Sequence, residues 1–407
     1  MTATEQARAV AEQVAERLDA TFRAQALRRT HQVFPGAVDR PGALLSFADL
    51  NEILACHRLE PPRLRLSVAG EIMSQHRYAQ AQIGRRHVLW HQLQPAELAE
   101  RLADGATLVL DAIDQLHPPA GALASAIEST LRTGVQVNAY ASWTATEGFG
   151  IHWDDHDTFI VQIDGAKRWK IYGPTRLYPT FRDVEAPELP TGDPVDEFVL
   201  GPGDMLYVPR GHWHAVSASE GVSSLHLTCG LQTTTGAELL AFVADELRER
   251  EIMRADLPQF DSVEAQAVFR AKLAEEVGAL LDQDDLLVRF FTHRDVVDVG
   301  RLAPSLPYLT AVPAQAAVAV RLLTLRAHLD REGGTVRLRA GGQSWQFHAA
   351  AQPMLEALLS GASYALGELA ELAALSLPDV AAVVSDLVSH QVAAVTPPSP
   401  QFRKGAA

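Results

Sequence analysis

The sequence predicts an α+β protein with a double-stranded β-helix (jelly-roll) core, helical additions and a C-terminal winged-helix-like domain. Residues 158–229 are rich in strand-forming residues separated by glycine and proline turns. After Thr235 apolar residues recur at helical spacing, and beyond Pro304 short helical patterns alternate with strand patterns. We therefore expect a core domain at 1–235, a helical domain at 236–303 and a winged-helix-like domain at 304–407.

The first part of the chain is expected to be largely helical. Val10, Val14, Leu18 and Phe22 recur every fourth position, which predicts one helix over residues 3–30. Ser46 is a suitable N-cap for a helix running to about residue 57. The patterns that follow predict strands at 63–69, 107–111 and 135–143 and helices at 95–102 and 120–132.

The central region is expected to be a series of strands. Two β-rich segments, 158–163 and 168–172, flank the turn pair Asp164-Gly165. An acidic, proline-containing loop is expected at about 181–197, and further strands extend to residue 229.

The last third is expected to change from helices to a mixed domain. Residues 237–291 are predicted to be helical with a break at Pro258. A helix at 318–329 should precede a hairpin of 335–340 and 344–348. The remaining patterns predict helices at 353–359, 366–375 and 378–390 and a final strand at 392–395.

Composition places the chain among ordinary globular proteins of the reducing cytoplasm. Its 407 residues are enough for two or three domains, and no apolar run is long enough to span a membrane. The start of the sequence lacks the basic and apolar stretches of a signal peptide. The cysteines are Cys56 and Cys229, so a disulfide framework is not expected. The formal net charge of -15 argues against a surface devoted to phosphate binding, although it is compatible with a basic partner.

Two separated segments predict a metal site. His152-Trp153-Asp154 supplies an imidazole and a carboxylate on one side of a strand, because side chains alternate along strands. The distant segment Pro209-Arg210-Gly211-His212-Trp213-His214 supplies a further imidazole. Two histidines and one carboxylate are the ligand set that holds non-haem Fe(II) and leaves positions open for a co-substrate and O2. His214 is the preferred third ligand, with His212 as the competing one.

The neighbours of these residues have alternative roles. His156 shares the face of His152 and Asp154 if the strand continues, so it is a fourth contact at the metal site, a group that binds substrate, or simply hydrogen-bonded. Asp155 and Asp157 would then face the other way and either recognise a basic substrate or form a solvated edge. Strand alternation puts Lys167 on one face together with Trp169.

The motifs together resemble the JmjC-type 2-oxoglutarate oxygenases, and most closely their ribosomal oxygenase (cupin-4) branch. The resemblance covers about the first 235 residues, and the helical segment and winged helix follow in the order found in that family. It rests on five motifs, namely Asn138-Ala139-Tyr140, His152-Trp153-Asp154-Asp155, Gln162 to Trp169, Gly203 to Pro209 with His214, and Ser224 to Thr228.

The resemblance implies roles for individual residues. His152, Asp154 and His214 would bind Fe(II), and Lys167 would bind the distal carboxylate of 2-oxoglutarate. Asn138 and Tyr140 would line the same pocket. The family commonly has a serine near the 2-oxoglutarate carboxylate where this chain has Gly230, and Thr228 or a water would supply the hydroxyl instead.

We therefore expect an Fe(II)-, 2-oxoglutarate- and O2-dependent hydroxylase that acts on a protein side chain. The resemblance suggests arginine or histidine of a ribosomal protein, and a homodimer formed through the helical domain. The alternatives are a hydroxylase of a small molecule or biosynthetic peptide, and a non-catalytic metal-binding cupin that serves as a sensor or scaffold. Duplex DNA binding is not expected, because residues 349–395 contain no lysine or arginine and the would-be recognition helix carries Asp379 and Asp386.

Overall fold

The computed structural model describes residues 3–144, 146, 148–180, 188–218 and 222–396. The chain divides into two compact units, residues 1–233 and 234–407. The first covers nearly all of the predicted core domain, and the second covers both the predicted helical domain and the predicted winged-helix-like domain.

The described part of the first unit contains five α-helices and three antiparallel sheets, one of which is a two-stranded hairpin. The helices are α1 (Ala3–Arg17), α2 (Ala20–Gln25), α3 (Phe47–Cys56), α4 (Pro95–Ala103) and α5 (Pro118–Leu131). The first seven strands are β1 (Gln32–Phe34), β2 (Leu64–Val68), β3 (Glu71–Ile72), β4 (Ala79–Ile83), β5 (Leu89–Leu93), β6 (Thr107–Leu110) and β7 (Val135–Ser142). The next six are β8 (Thr158–Gly165), β9 (Lys167–Pro174), β10 (Asp196–Leu200), β11 (Met205–Val208), β12 (His212–Ala218) and β13 (Ser224–Leu231).

The two larger sheets form the predicted jelly roll. The large sheet has the order β1-β11-β8-β13-β7-β6-β2-β3, and the small sheet has the order β10-β9-β12. Alternation along β8 shows how they are arranged. Phe159 and Val161 pack in the main core together with Val14, while Ile160 packs with Trp169 of the small sheet. The large sheet therefore buries one face against helices and turns the other towards the small sheet.

The second unit starts with helices and ends with a mixed α/β region. Its helices are α6 (Gly236–Glu246), α7 (Glu251–Arg254), α8 (Val263–Leu281), α9 (Leu286–Val297), α10 (Gln352–Leu359), α11 (Leu366–Ala373) and α12 (Leu377–Ser389). Its strands are β14 (Ala319–Leu322), β15 (His328–Glu332), β16 (Thr335–Ala340), β17 (Gln343–His348), β18 (Tyr364–Ala365) and β19 (Ala393–Thr396). Two three-stranded sheets, β15-β16-β17 and β18-β14-β19, share a core with the last three helices. The predicted α+β class is confirmed.

Two of the predicted helices were wrong. The helix expected over 3–30 is broken after Arg17, because the Asp19 carboxylate accepts a hydrogen bond from the Phe22 amide and caps a new helix. The helix expected over 318–329 is instead β14 and the start of β15. Val320 and Leu322 are buried alternately and pair with β19, so the period is that of a strand.

The other differences are smaller. The hairpin of β4 and β5 was not predicted, because its residues are mostly exposed or half-buried and do not alternate between buried and exposed positions. Part of the acidic loop expected at 181–197, residues 181–187, lies outside the described residues. Among the described helices, none alone has the length and apolar composition to cross a membrane, and α11 and α12 satisfy that test only as a pair bent by 113°.

Candidate functional site

His152, Asp154 and His214 come together as predicted. One donor atom from each residue lies within 4.8 Å of the others. The Nε2 atom of His214 is 3.8 Å from Oδ2 of Asp154, and the two imidazole ring centres are 4.2 Å apart. The three donors therefore converge on one point, in an arrangement that suits a single metal ion.

The backbone fixes this arrangement from both segments. His152 and His214 form an isolated antiparallel bridge, with N···O distances of 3.0 and 2.8 Å. The Gly211 amide also donates a hydrogen bond to the Asp154 carbonyl, at 2.9 Å. Gly211 has φ of +80°, a left-handed conformation that favours glycine, so the glycine in the Pro-x-Gly bend allows the chain to reach the metal segment. His152 and Asp154 lie in a loop with one bridge, rather than on the continuous strand that the sequence predicted.

Both imidazoles are oriented for metal binding. Nδ1 of His152 lies 3.1 Å from the Gly150 carbonyl, and Nδ1 of His214 lies 2.9 Å from the His212 carbonyl. A proton on each Nδ1 would serve these hydrogen bonds and leave Nε2 with its lone pair towards the common point. Burial, reinforced by neighbouring His152, holds the pKa of His214 well below its usual range, which favours the neutral form that binds metals. The donor set fits Fe(II) with one side of the ion left open.

His212 lies outside this cluster. Pairing of β12 with β9 is irregular between Trp213 and His214, so the strict alternation assumed from the sequence does not apply there. Burial lowers the pKa of His212 to about 4; the nearby His31 contributes to the lowering, and Asp157 opposes it.

A cavity of about 290 Å³ opens beside the three donors. It is lined by the three expected metal ligands and by the four residues expected to bind or surround 2-oxoglutarate, namely Lys167, Asn138, Tyr140 and Thr228. Its polar lining comprises Arg65, Thr107, Asn138, Tyr140, His152, Asp154, His156, Thr158, Lys167, His214, His226 and Thr228. Site residues predicted from four separate strands and a loop are therefore brought to one cavity.

Lys167 is a buried cation in the wall of this cavity. It is 4% exposed, and its Nζ donates a hydrogen bond to the Ser142 hydroxyl at 2.7 Å. Within the described residues no carboxylate lies within ion-pair distance of it. Burial lowers the pKa of Lys167 to about 8. A buried ammonium is costly unless it is paired, so this arrangement suits an anionic ligand.

The same cavity wall carries further hydrogen-bonding groups, some of them without a partner among the described residues. Trp169 Nε1 and His226 Nδ1 are buried and have no hydrogen-bond partner among the described residues. Burial and the nearby Lys167 hold the pKa of His226 well below its usual range, and its ring stacks on Tyr140 at 5.1 Å. Burial raises the pKa of Tyr140, which keeps its hydroxyl protonated. Asn138 is already engaged, since its Oδ1 accepts hydrogen bonds from the Ala112 amide and from Gln136.

Three acidic or basic groups have roles that the sequence did not indicate. Asp157 is structural, because it accepts hydrogen bonds from the Tyr207 hydroxyl and the Arg210 amide. Asp155 pairs with His156, at 2.8 Å. Arg65, which was not predicted, lines the cavity and forms a bidentate ion pair with Asp111. The alternation of Leu64, Arg65 and Leu66 was the available signal, but only the strand pairing brings Asp111 beside it.

Comparison with known proteins places this site in a recognised domain. Residues 114–239 match the JmjC domain family. Ribosomal oxygenase 2 of Rattus norvegicus is 35% identical over 155 residues, which cover 36% of this chain and 33% of that protein. The bifunctional lysine-specific demethylase and histidyl-hydroxylase NO66 of Drosophila persimilis is 39% identical over 94 residues, covering 23% of this chain and 14% of that one. The chain thus spans less than half the length of the curated relatives that it matches.

Solved structures show the same fold over most of the chain. The Escherichia coli ribosomal oxygenase YcfD in complex with cobalt and 2-oxoglutarate matches with a TM-score of 0.57 and 18% identity, covering 92% of this chain and 97% of that one. Another structure of E. coli YcfD matches with a TM-score of 0.59 and 19% identity over the same shares. At this identity the likeness establishes the fold.

Proposed function

We propose that this chain, which carries a JmjC domain on the fold of a ribosomal oxygenase, is an Fe(II)- and 2-oxoglutarate-dependent hydroxylase acting on a protein side chain. The observation that carries the proposal is the combination of His152, Asp154 and His214 with a buried Lys167 in one cavity, where no described carboxylate lies within ion-pair distance of the ammonium. A metal site alone would need no buried cation beside it, whereas a dianionic co-substrate would.

Different side chains of the cavity would bind the metal ion and the co-substrate. The triad would hold Fe(II), which supplies the oxidation of a target C–H bond coupled to decarboxylation of 2-oxoglutarate by O2. Lys167 and the Ser142 hydroxyl would bind the distal carboxylate, since a charge-assisted hydrogen bond in a buried site fixes both place and orientation. Trp169, whose indole NH has no hydrogen-bond partner among the described residues, would shield this end from water and offer a further donor.

The relatives support a ribosomal protein as the target. YcfD is described as a ribosomal oxygenase, and NO66 as a histidyl-hydroxylase. An arginine or histidine side chain of a basic ribosomal protein would also be attracted by a chain of net charge -15. Mass spectrometry of ribosomal proteins from a deletion strain should then show the loss of a +16 shift on one of them, and an unchanged set of masses would contradict this target.

The co-substrate chemistry is testable without knowing the target. Chelation of 2-oxoglutarate to Fe(II) produces a visible charge-transfer band under anaerobic conditions. We expect the band in the parent protein and its loss in His152→Ala. Metal binding without any band would instead support the alternative of a non-catalytic cupin.

The helical segment 236–303 is proposed to form a homodimer. Large apolar side chains are exposed along it, among them Leu240, Val268, Leu287, Val288 and Phe291. Contiguous exposed apolar surface is typical of interfaces. Light scattering should give twice the monomer mass, and Leu287→Glu with Val288→Glu should give a monomer. Leu372→Glu, at an exposed apolar position of α11, is the control that should remain dimeric.

The remaining expectations concern location and other partners. We propose a cytoplasmic enzyme, since exposed Cys56 and buried Cys229 form no disulfide. We also propose that the winged-helix-like region does not read duplex DNA. Helix α12 presents Asp379 and Asp386 and has no lysine or arginine, so phosphate contact would be unfavourable.

A further inference from the structure

Gly230 leaves space for a side chain from another segment. It follows His226 and Thr228 at every second position along β13, on the face that lines the cavity. A Cβ atom added at Gly230 would lie 2.7 Å from both Cδ2 and Nε2 of His156. The φ of Gly230 lies outside the left-handed region, so the backbone does not demand glycine here. The His156 ring occupies the volume that a side chain at position 230 would need, so the ring would have to shift if Gly230 were replaced.

His156 is held against β13 by its neighbours in sequence. Its Nδ1 lies 2.8 Å from Oδ1 of Asp155. Next along the chain, the carboxylate of Asp157 accepts a hydrogen bond from the Tyr207 hydroxyl, and its carbonyl accepts one from the Leu231 amide. The backbone that follows His156 is therefore tied to the strand on which its ring rests.

His156 and Lys167 lie at opposite ends of the cavity wall. Lys167 reaches Ser142, which is paired with Ser224 at the start of β13. Gly230 is six residues further along that strand, a separation of about 20 Å at the rise of an extended chain. The His156 side chain is 39% exposed, so the ring is reachable from solvent, whereas Lys167 is buried. The His156 end is thus the accessible end of the cavity.

We propose that His156, seated on Gly230 and oriented by Asp155, is a specificity-determining residue that contacts the target side chain. This inference rests on the proposed hydroxylase function. A planar imidazole beside a carboxylate suits a planar group rich in N–H donors, which can stack on the ring and donate to Asp155. Guanidinium and imidazole side chains have this chemistry, whereas an aliphatic side chain does not.

The coupling of Gly230 and His156 is tested by thermal unfolding of the metal-free protein. Gly230→Ser should lower the midpoint, because its Cβ requires the ring to move. The same substitution in a His156→Ala background should have little effect, since the space is then open. Equal effects of Gly230→Ser in both backgrounds would overturn the proposed seating.

The functional role is tested through the anaerobic charge-transfer band. Capped arginine (N-acetyl-arginine methylamide) and capped histidine are titrated into the Fe(II)·2-oxoglutarate complex, with capped norleucine as the apolar control. His156→Ala should keep its affinity for 2-oxoglutarate and lose about tenfold in affinity for the planar probes, the size of one charge-assisted contact. His87→Ala, an exposed histidine at the turn of the β4–β5 hairpin, should change neither.

Two results would overturn the assignment. One is weaker binding of 2-oxoglutarate in His156→Ala, which would make the ring a co-substrate contact. The other is a parent band that no planar probe perturbs. Absence of the band in the parent protein is a different failure, because it would refute the hydroxylase function itself.

Discussion

The two units differ in the partners that they provide for a buried cation. In the first unit the Lys167 ammonium is buried with a hydroxyl as its hydrogen-bond partner, and Trp169 Nε1 and His226 Nδ1 nearby have none among the described residues. In the second unit Arg326 is equally buried, but its guanidinium lies 2.6 Å from Asp298 and 3.8 Å from Asp295.

This contrast distinguishes buried charged groups proposed to bind a ligand from buried charged groups that stabilise the fold. A buried charge is tolerated when a partner offsets its desolvation. The second unit supplies the partners itself, and the Thr324 hydroxyl completes the cluster by donating to Asp298. In the first unit the described residues offer Lys167 a hydroxyl but no carboxylate, and we propose that a bound anion offsets its desolvation. Substitutions in the cavity should therefore affect ligand binding, while substitution in the ion cluster should affect stability.

The largest effect is expected for Asp154→Ala. It removes the anionic ligand of the triad and leaves two imidazoles, so Fe(II) binding and the charge-transfer band should be lost. Anaerobic absorption and metal analysis would measure this, with the exposed Asp193→Ala as control. The unfolding midpoint of the metal-free protein should change little. A variant that keeps the band would break the assignment of the site.

The next effect is expected in the second unit. Arg326→Met removes the cation beside buried Asp295 and partly exposed Asp298, which should cost about 3–5 kcal/mol of stability. Urea unfolding would measure it, and the exposed Arg331→Met is the matched control. The charge-transfer band should survive in folded protein. A loss below about 1 kcal/mol, as for a surface ion pair, would remove the contrast between the units.

Lys167→Met should have the opposite pair of effects. Losing the charge-assisted contact should weaken 2-oxoglutarate binding by about 10- to 100-fold. Lys170→Met, on the other face of β9, should leave it unchanged. The unloaded variant should be more stable than the parent at pH 7, because an uncompensated ammonium has been removed. Unchanged co-substrate affinity in Lys167→Met would contradict its role.

The pH dependence of stability and of 2-oxoglutarate affinity gives a second test of the role of Lys167. Burial lowers its pKa to about 8 from the ordinary 10.5, so the folded state binds fewer protons than the unfolded state between these values. The ammonium therefore destabilises the unloaded protein below pH 8, and stability recovers as the pH rises from 8 to 10.5. Affinity for 2-oxoglutarate should fall over the same range as the cation is lost, and Lys167→Arg should abolish that fall.

Sequence periodicity predicted the fold correctly where the apolar residues of a segment fit only one period, that of a strand or that of a helix. Lys167 and Trp169 share the buried face of β9, as strict alternation requires. The 318–329 helix was wrong because Val318 and Leu322, four residues apart, fit a helical period as well as a strand period. Val320, between them, fits the strand period alone, and the pairing with β19 confirms a strand.

The site was predictable as far as its chemistry is local. Two histidines and an aspartate at motif spacing could be identified, but the role of Asp157 depends on Tyr207, 50 residues away. The seating of His156 on Gly230 depends on two segments that approach only in the folded chain. Contacts of this kind have no signature in sequence spacing.

The smallest effect is expected for His212→Ala, which tests the choice of third ligand. His214 supplies the donor atom, whereas His212 supplies a backbone carbonyl that accepts a hydrogen bond from His214 Nδ1. Since alanine keeps that carbonyl, Co(II) affinity should change by less than about threefold, well below the 10- to 100-fold loss typical when an outer partner of a ligand is removed. Cobalt titration of His212→Ala beside His214→Ala would measure the difference. Comparable losses in the two variants would show that the irregular pairing at Trp213 and His214 does not separate the histidines, and would place His212 among the ligands.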